Sequence, residues 1–184
     1  MSRKETLEEK RASLIVKYRK LKVDKVEKQG DKITYFLSKD GERQILLCVL
    51  GQKTIGISYI RELKDLVDKE GAVRGIMVGS GKYTYSSKST AEQLGLELIP
   101  PTLPAFDIFE HELVPLHEII TGEERQKALE HYHAKPFQFP WIRATDPISL
   151  ILGAQPGDIV KITGKSETAG RSESYRYVVK KAEE

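Results

Sequence analysis

At 184 residues, with 39% hydrophobic and 31% charged residues, the chain has the composition of a folded globular protein rather than a disordered one. No apolar run approaches the roughly 20 residues needed to span a bilayer, the opening Met-Ser-Arg-Lys-Glu lacks the apolar core of a secretory leader, and the one cysteine, Cys48, excludes an internal disulfide. These features predict no membrane partner and a reducing, cytoplasmic compartment. The net charge of +3 is unevenly spread: residues 1–105 hold 20 Lys/Arg against 14 Asp/Glu, and residues 106–184 hold 10 against 13. Such asymmetry points the first half towards a polyanion and the second away from one.

Leu7, Leu14, Tyr18 and Leu21 recur at helical spacing and predict a helix from Thr6 to Leu21. Three strands follow, Val23 to Lys28, Lys32 to Ser38 and Arg43 to Leu50, with turns at Gly30-Asp31 and Asp40-Gly41. The third is almost wholly apolar and reads as a central strand buried on both faces, with Cys48 packed inside it. Ser58 to Lys69 is amphipathic and helical, Ile76-Met77-Val78 a buried strand, Ser86 to Leu94 a helix ended by Gly95, and Glu97-Leu98-Ile99 a last strand. That order predicts an α/β sandwich whose second half is a crossover unit.

Three prolines in Pro100-Pro101-Thr102-Leu103-Pro104 break helix and strand alike and read as a stiff link between two domains, 1–104 and 105–184. Beyond them, Thr121 and Glu124 have capping-box spacing for a helix to about His131. Asp146 reads as the cap of a further helix, with Pro147 at its first position and Gly153 at its end. Pro156-Gly157-Asp158 turns into a strand from Ile159 to Ile162, and a loop with Thr168-Ala169-Gly170 returns into Ser172 to Val179.

This C-terminal stretch closely resembles the assembly domain of the fifth subunit of multisubunit RNA polymerases, a subunit common to archaea and eukaryotes. The resemblance begins at His111-Glu112-Leu113-Val114-Pro115, continues through Pro140-Trp141-Ile142-Arg143 and runs to Val179. It implies a small α+β domain that docks on the largest polymerase subunit, alongside the other subunits. Arg143, Asp146, Pro147, Lys165, Ser166, Thr168, Gly170, Arg171, Tyr175 and Arg176 would form the docking surface and its support. An exposed Arg-Tyr cluster around a rigid loop suits an interface hot spot. Leu152 to Asp158 looks archaeal and Lys165 to Arg171 eukaryotic, which favours a cytoplasmic, archaeal-type source over a nuclear one.

The first half resembles the Mrr-type restriction endonuclease fold, a three-layer α/β domain. The residues that carry this are Gly56-Ile57-Ser58-Tyr59-Ile60-Arg61-Glu62-Leu63, Arg74-Gly75-Ile76-Met77-Val78 and Gly95-Leu96-Glu97-Leu98-Ile99. That family places a Glu-x-Lys or Gln-x-Lys triplet on the preceding strand, where carboxylates hold Mg²⁺ and the lysine activates water. Anchoring on Gly56 puts those positions at Leu47 and Val49, both apolar; Asp40 or Glu42 would stand in for the first carboxylate. The expectation is a nuclease-like jaw with no catalytic residues, no metal and no cofactor.

The remaining candidates are weaker. His111, His117, His131 and His133 lie close in sequence, but with no cysteine nearby they read as packing residues rather than zinc ligands. Lys10, Arg11, Lys17, Arg19, Lys20 and Lys22 could present a basic helix face to phosphates. The loop before the last N-terminal helix offers Lys82, Tyr83, Thr84, Tyr85, Ser86, Ser87 and Lys88, whose hydroxyls, amides and ammonium groups suit weak, sequence-independent contact with duplex DNA. The sequence thus predicts a non-catalytic subunit of DNA-directed RNA polymerase. An Mrr-type DNA nuclease and a stand-alone DNA-binding protein are the alternatives.

Overall fold

A computed structural model describes residues 5–166 and 170–180. The molecule is a mixed α+β protein with separate sheets. It divides into two compact units, residues 1–106 and 107–184.

The first unit is built round a five-stranded sheet. Helix α1 (Leu7–Tyr18) is entered through a capping box: Thr6 Oγ1 accepts the Glu9 amide, and the Glu9 carboxylate accepts the Thr6 amide. Lys20 then takes a left-handed φ of 56°, which ends the helical run before Leu21. An antiparallel meander follows, β1 (Lys22–Gln29), β2 (Lys32–Lys39) and β3 (Glu42–Val49), with a bulge between Val23 and Lys25. After a two-residue strand β4 (Thr54–Ile55), helix α2 (Ile57–Glu70) leads to β5 (Arg74–Gly79), which pairs parallel with β3. The two-residue β6 (Lys82–Tyr83) pairs with β4, and α3 (Tyr85–Gln93) leads to β7 (Glu97–Ile99). The sheet order is β1-β2-β3-β5-β7.

Strand β3 is central, and Ile45, Leu46, Leu47, Cys48 and Val49 are all buried. Ile45, Leu47 and Val49 pack with Ile60, Leu63 and Val67 of α2 and Ala91 of α3. The opposite side meets α1, where the Cys48 thiol approaches the Glu8 carbonyl at 3.9 Å. The period of two therefore sends successive β3 residues into two different cores. Gly79 ends β5 where a side chain would overlap Ile55.

The proline-rich segment is held to this unit instead of standing free of it. Arg11 of α1, 7% exposed, donates from Nε to the Leu103 carbonyl at 2.7 Å, from Nη2 to Pro101 at 2.7 Å and from Nη1 to Gly79 at 3.3 Å. Leu103 is buried. Proline frees carbonyls from any ladder, and a planar guanidinium collects them.

The second unit is a four-stranded sheet in the order β8-β10-β11-β9. Strand β8 (Leu116–Ile120) precedes α4 (Gly122–His131); β9 (Trp141–Arg143) precedes α5 (Pro147–Leu152); β10 (Ile159–Ser166) and β11 (Gly170–Val179) form a long hairpin. The capping box expected at Thr121 is not formed: no side-chain bond caps α4, and Glu124 pairs with Lys161 Nζ at 3.1 Å instead. Asp146 does cap α5, accepting the Ile148 amide at 2.9 Å, and Gly153 closes it with φ 75°. One sheet face carries Ile120, Ala128, Phe139 and Ile159; the other carries Ala154, Val160 and Val178.

Replacing Arg11 with Met removes three charge-assisted bonds while leaving the carbonyls of Pro101 and Leu103 in place. The expected loss is about 3 kcal/mol of unfolding free energy, with new protease cleavage near Leu103. Unchanged denaturation midpoints and an uncut chain would contradict the clamp.

Candidate functional site

The residues expected to dock a partner fall into two groups along the β10–β11 hairpin. At its tip, Lys165 lies opposite Arg171 and Ser166 opposite Gly170. Gly170 has φ 73°, the left-handed backbone that lets β11 begin immediately after the loop. Thr168 lies outside the described residues, as do the side chains of Lys165, Ser166 and Arg171. At the other end, Tyr177 pairs with Trp141 and Val179 with Arg143. There an exposed Arg143 closes β9, and Asp146 and Pro147 open α5. Val179, the partner of Arg143, lies eight positions along β11 from Arg171, so at roughly 3.3 Å per residue the two groups stand about 26 Å apart.

Tyr175 and Arg176 are half-buried and do not form the exposed cluster that the sequence suggested. As neighbours on one strand they face opposite sides of the sheet. Tyr175 belongs to an aromatic stack, 5.6 Å from Tyr132 and 5.7 Å from Phe139 between ring centroids, and burial pushes its phenol pKa upward. Asp146 is engaged in its helix cap and Tyr175 in ring packing.

Among the described residues of this unit, three Phe, Tyr or Trp side chains outside the nominated set are exposed: Tyr132, Phe137 and Trp141. The signal that could have found them is compositional. Residues 131–145 contain Tyr132, Phe137, Phe139 and Trp141 and no Asp or Glu.

In the first unit, the loop read as a DNA contact divides. Lys82, Tyr85, Ser86 and Lys88 are exposed. Tyr83 is not available: it is 8% exposed, and its hydroxyl lies 3.0 Å from the Ile99 carbonyl and 3.2 Å from that of Met77. Ser87 is fully buried and donates to the Ile55 carbonyl at 2.9 Å. Thr84 Oγ1 caps α3 by accepting the Ser87 amide at 3.2 Å. Alternation along β6 and the first turn of α3 sends these side chains inward. The basic face expected on α1 is also reduced. Arg11 is committed to carbonyls, and Arg19 makes a two-pronged bond to Glu97, at 2.8 and 2.5 Å.

The strand positions that resemble a nuclease site are apolar and buried, Leu47 and Val49. Asp40 and Glu42 cannot serve them, because both sit at the β2–β3 turn, at the other end of the strands. Register places Leu47 opposite Thr34 and Val49 opposite Lys32. The carboxylate beside that end is Asp31, which accepts from Gln52 at 2.8 Å and from the Tyr59 hydroxyl at 3.1 Å. These bonds, the Gln52 amide's above all, hold its carboxyl below the usual range. The neighbouring Lys32 ammonium pairs with Glu62 at 2.6 Å. Among the described residues, no three His, Cys, Asp or Glu side chains are arranged to hold a metal ion. Cys48 is buried, and burial raises its thiol pKa far above the ordinary value.

A match to the family described as RNA polymerase Rpb5, C-terminal domain, spans residues 106–178. The chain is 55% identical over 73 residues to a protein of Sulfolobus acidocaldarius named DNA-directed RNA polymerase subunit Rpo5. That alignment takes in 40% of this chain and 87% of the relative. Proteins of the same name from Methanococcoides burtonii and Thermococcus onnurineus are 46% and 51% identical over 74 residues, covering 40% of this chain and 95% and 90% of the relatives. Among the described residues, no helix is long and apolar enough to cross a membrane.

His117 offers a pH test of the second unit. Burial on β8 lowers its proton affinity below the usual 6.5, against the opposing pull of its 2.8 Å bond with the Pro115 carbonyl. Below pH 6.5 the unfolded chain therefore takes up the proton more readily than the folded one, and stability falls as pH drops through that value. Denaturation midpoints between pH 7.5 and 5.5 should decline less in His117→Gln than in the unaltered chain. Equal slopes would remove His117 from the account.

Proposed function

The chain belongs to the Rpb5/Rpo5 family of RNA polymerase subunits, and from that premise we propose that it is a structural subunit of a DNA-directed RNA polymerase, supplying no catalytic group of its own. The observation that carries this is the near-complete coverage of the relatives by residues that fold here into a separate capped unit. In this reading the second unit docks on the largest subunit through the two ends of the β10–β11 hairpin. Arg143 and the tip residues make contact while Asp146, Pro147 and Tyr175 hold them in position. The enzyme would work in the cytoplasm of an archaeal-type cell.

The first unit serves in this reading as a jaw of restriction-endonuclease-like fold beside the entering duplex. Its element order and its central strand flanked by helices support that assignment. Leu47 and Val49, buried where carboxylate and lysine would be needed, weigh against cleavage. Lys82, Lys88, Tyr85 and Ser86 remain open to phosphates. So few groups bind weakly alone, but tethering within a large enzyme raises their effective concentration.

Affinity purification of the full-length chain from its native source, with identification of the co-purifying polypeptides, tests the assignment. The polymerase subunits are the expected partners; recovery of the chain alone, or metal-dependent cleavage of duplex DNA by it, would reverse the conclusion. For the jaw, changing Lys82 and Lys88 together to Glu should shorten open-complex lifetime at moderate salt and leave incorporation unchanged. The difference should shrink as salt rises, because phosphate contacts act through counterion release. Equal lifetimes across the salt series would take this loop off the DNA path.

A further inference from the structure

The segment from His131 to Arg143 places Tyr132, Phe137 and Trp141 in water beside a buried Phe139. Phe139 is 8% exposed and packs with Ile120, Ala128 and Ile159. Two residues to either side, Phe137 is 58% exposed and Trp141, the chain's one tryptophan, 69%. Scattered exposed apolar residues are ordinary, but a cluster is not. These two are held together, since the indole Nε1 donates to the Phe137 carbonyl at 3.1 Å. Tyr132, 47% exposed, continues the patch through its edge contact with Phe139 at 5.8 Å.

Charge distinguishes this surface from its surroundings. Residues 106–184 carry a net excess of carboxylates, yet residues 131–145 contain none. Lys135 and Arg143 are both exposed and bracket the aromatic pair in sequence. Arg143 follows Trp141 by two on β9, so both side chains leave the strand on one face. Strand β9 is also the edge of its sheet.

We propose that the Trp141–Phe137 face extends the Arg143 end of the docking surface and receives there an acidic segment of another polymerase subunit. Tryptophan, tyrosine and arginine are the residues enriched in the energetic centres of protein interfaces. A lysine and an arginine in a stretch that carries no carboxylate of its own favour an acidic strand over a neutral one. A nucleic-acid strand is the poorer fit. Stacking platforms for single strands line a strongly basic groove, whereas residues 131–145 carry two permanent cations. The proposal rests on the subunit reading above but names a surface that the hairpin tip does not include.

The test uses the full-length chain in reconstituted polymerase, with Trp141→p-benzoylphenylalanine and, separately, Phe137→p-benzoylphenylalanine. Irradiation should give adducts from both positions to one other polypeptide, mapped to a stretch carrying Asp or Glu. Trp141→Ala should compete for incorporation about tenfold less well than the unaltered chain, with its melting midpoint nearly unchanged because the ring is exposed. Arg143→Glu should compete less well than Arg143→Gln, as an acidic occupant requires. An incorporated chain whose labels reach only solvent, a nucleic acid or a carboxylate-free segment would overturn the proposal and leave the subunit assignment standing. Equal competition by Trp141→Ala would overturn it as well. Failure of the unaltered chain to enter the enzyme would instead strike the assignment itself.

Discussion

Strand β3 is buried on both faces, and most of the first unit follows from that constraint. Five consecutive apolar residues, Ile45 to Val49, cannot be covered by one layer, because alternate side chains leave the sheet in opposite directions. Helix α1 must lie on one side, and α2 with α3 on the other. Each such side chain stabilises by roughly 2 kcal/mol when removed from water, and all five lie in the unit's core. The same constraint bears on chemistry. A carboxylate and a lysine at Leu47 and Val49 would have to be desolvated among Ile60, Leu63 and Met77. Unpaired charge in such a place costs several kcal/mol. A strand optimised for packing in this way is a poor place to hold a metal.

Charge in the first unit divides between structure and surface. Arg11 and Arg19 count towards the basic balance of the N-terminal half, yet neither faces solvent. One gathers backbone carbonyls and the other grips Glu97. Removing them leaves the lysines, with the exposed Arg43 and Arg61, to account for any attraction to a polyanion. Lysines on long flexible stems suit loose, salt-sensitive contact better than precise recognition.

In the second unit the β10–β11 hairpin acts as a rigid ruler. It carries one group of candidate contacts at its tip and another beside β9, separated by the strand rise alone. Aromatic packing of Tyr132, Phe139 and Tyr175 stiffens the middle. A domain of this size has few apolar residues to spare, so the exposure of Phe137 and Trp141 costs it core material. Such surfaces are stable when another chain covers them.

Much of this was legible in the sequence because it depends on local periodicity and backbone punctuation. The meander, the crossover helices, the Asp146 cap with Pro147 and Gly153, and the burial of Cys48 all follow from spacing and from residues with restricted φ. Strands β4, β6, β8 and β9 were not legible. Two are only two residues long, β9 follows Pro140, and Leu-His-Glu-Ile-Ile in β8 does not alternate. Each exists because a partner strand is already in place. The same holds for side-chain roles. Tyr83 and Ser87 look like loop hydroxyls until the carbonyls of Ile99 and Ile55 arrive from distant segments. Arg11 looks like a solvated helix charge until Pro101 and Leu103 fold back against it. Sequence determined the order of the longer elements, the family resemblance and the apolar strand, which are properties of neighbouring residues. Only the tertiary structure decided which polar groups remain free to meet a partner, since that depends on what lies, as for Arg11, 68 or 92 residues away along the chain.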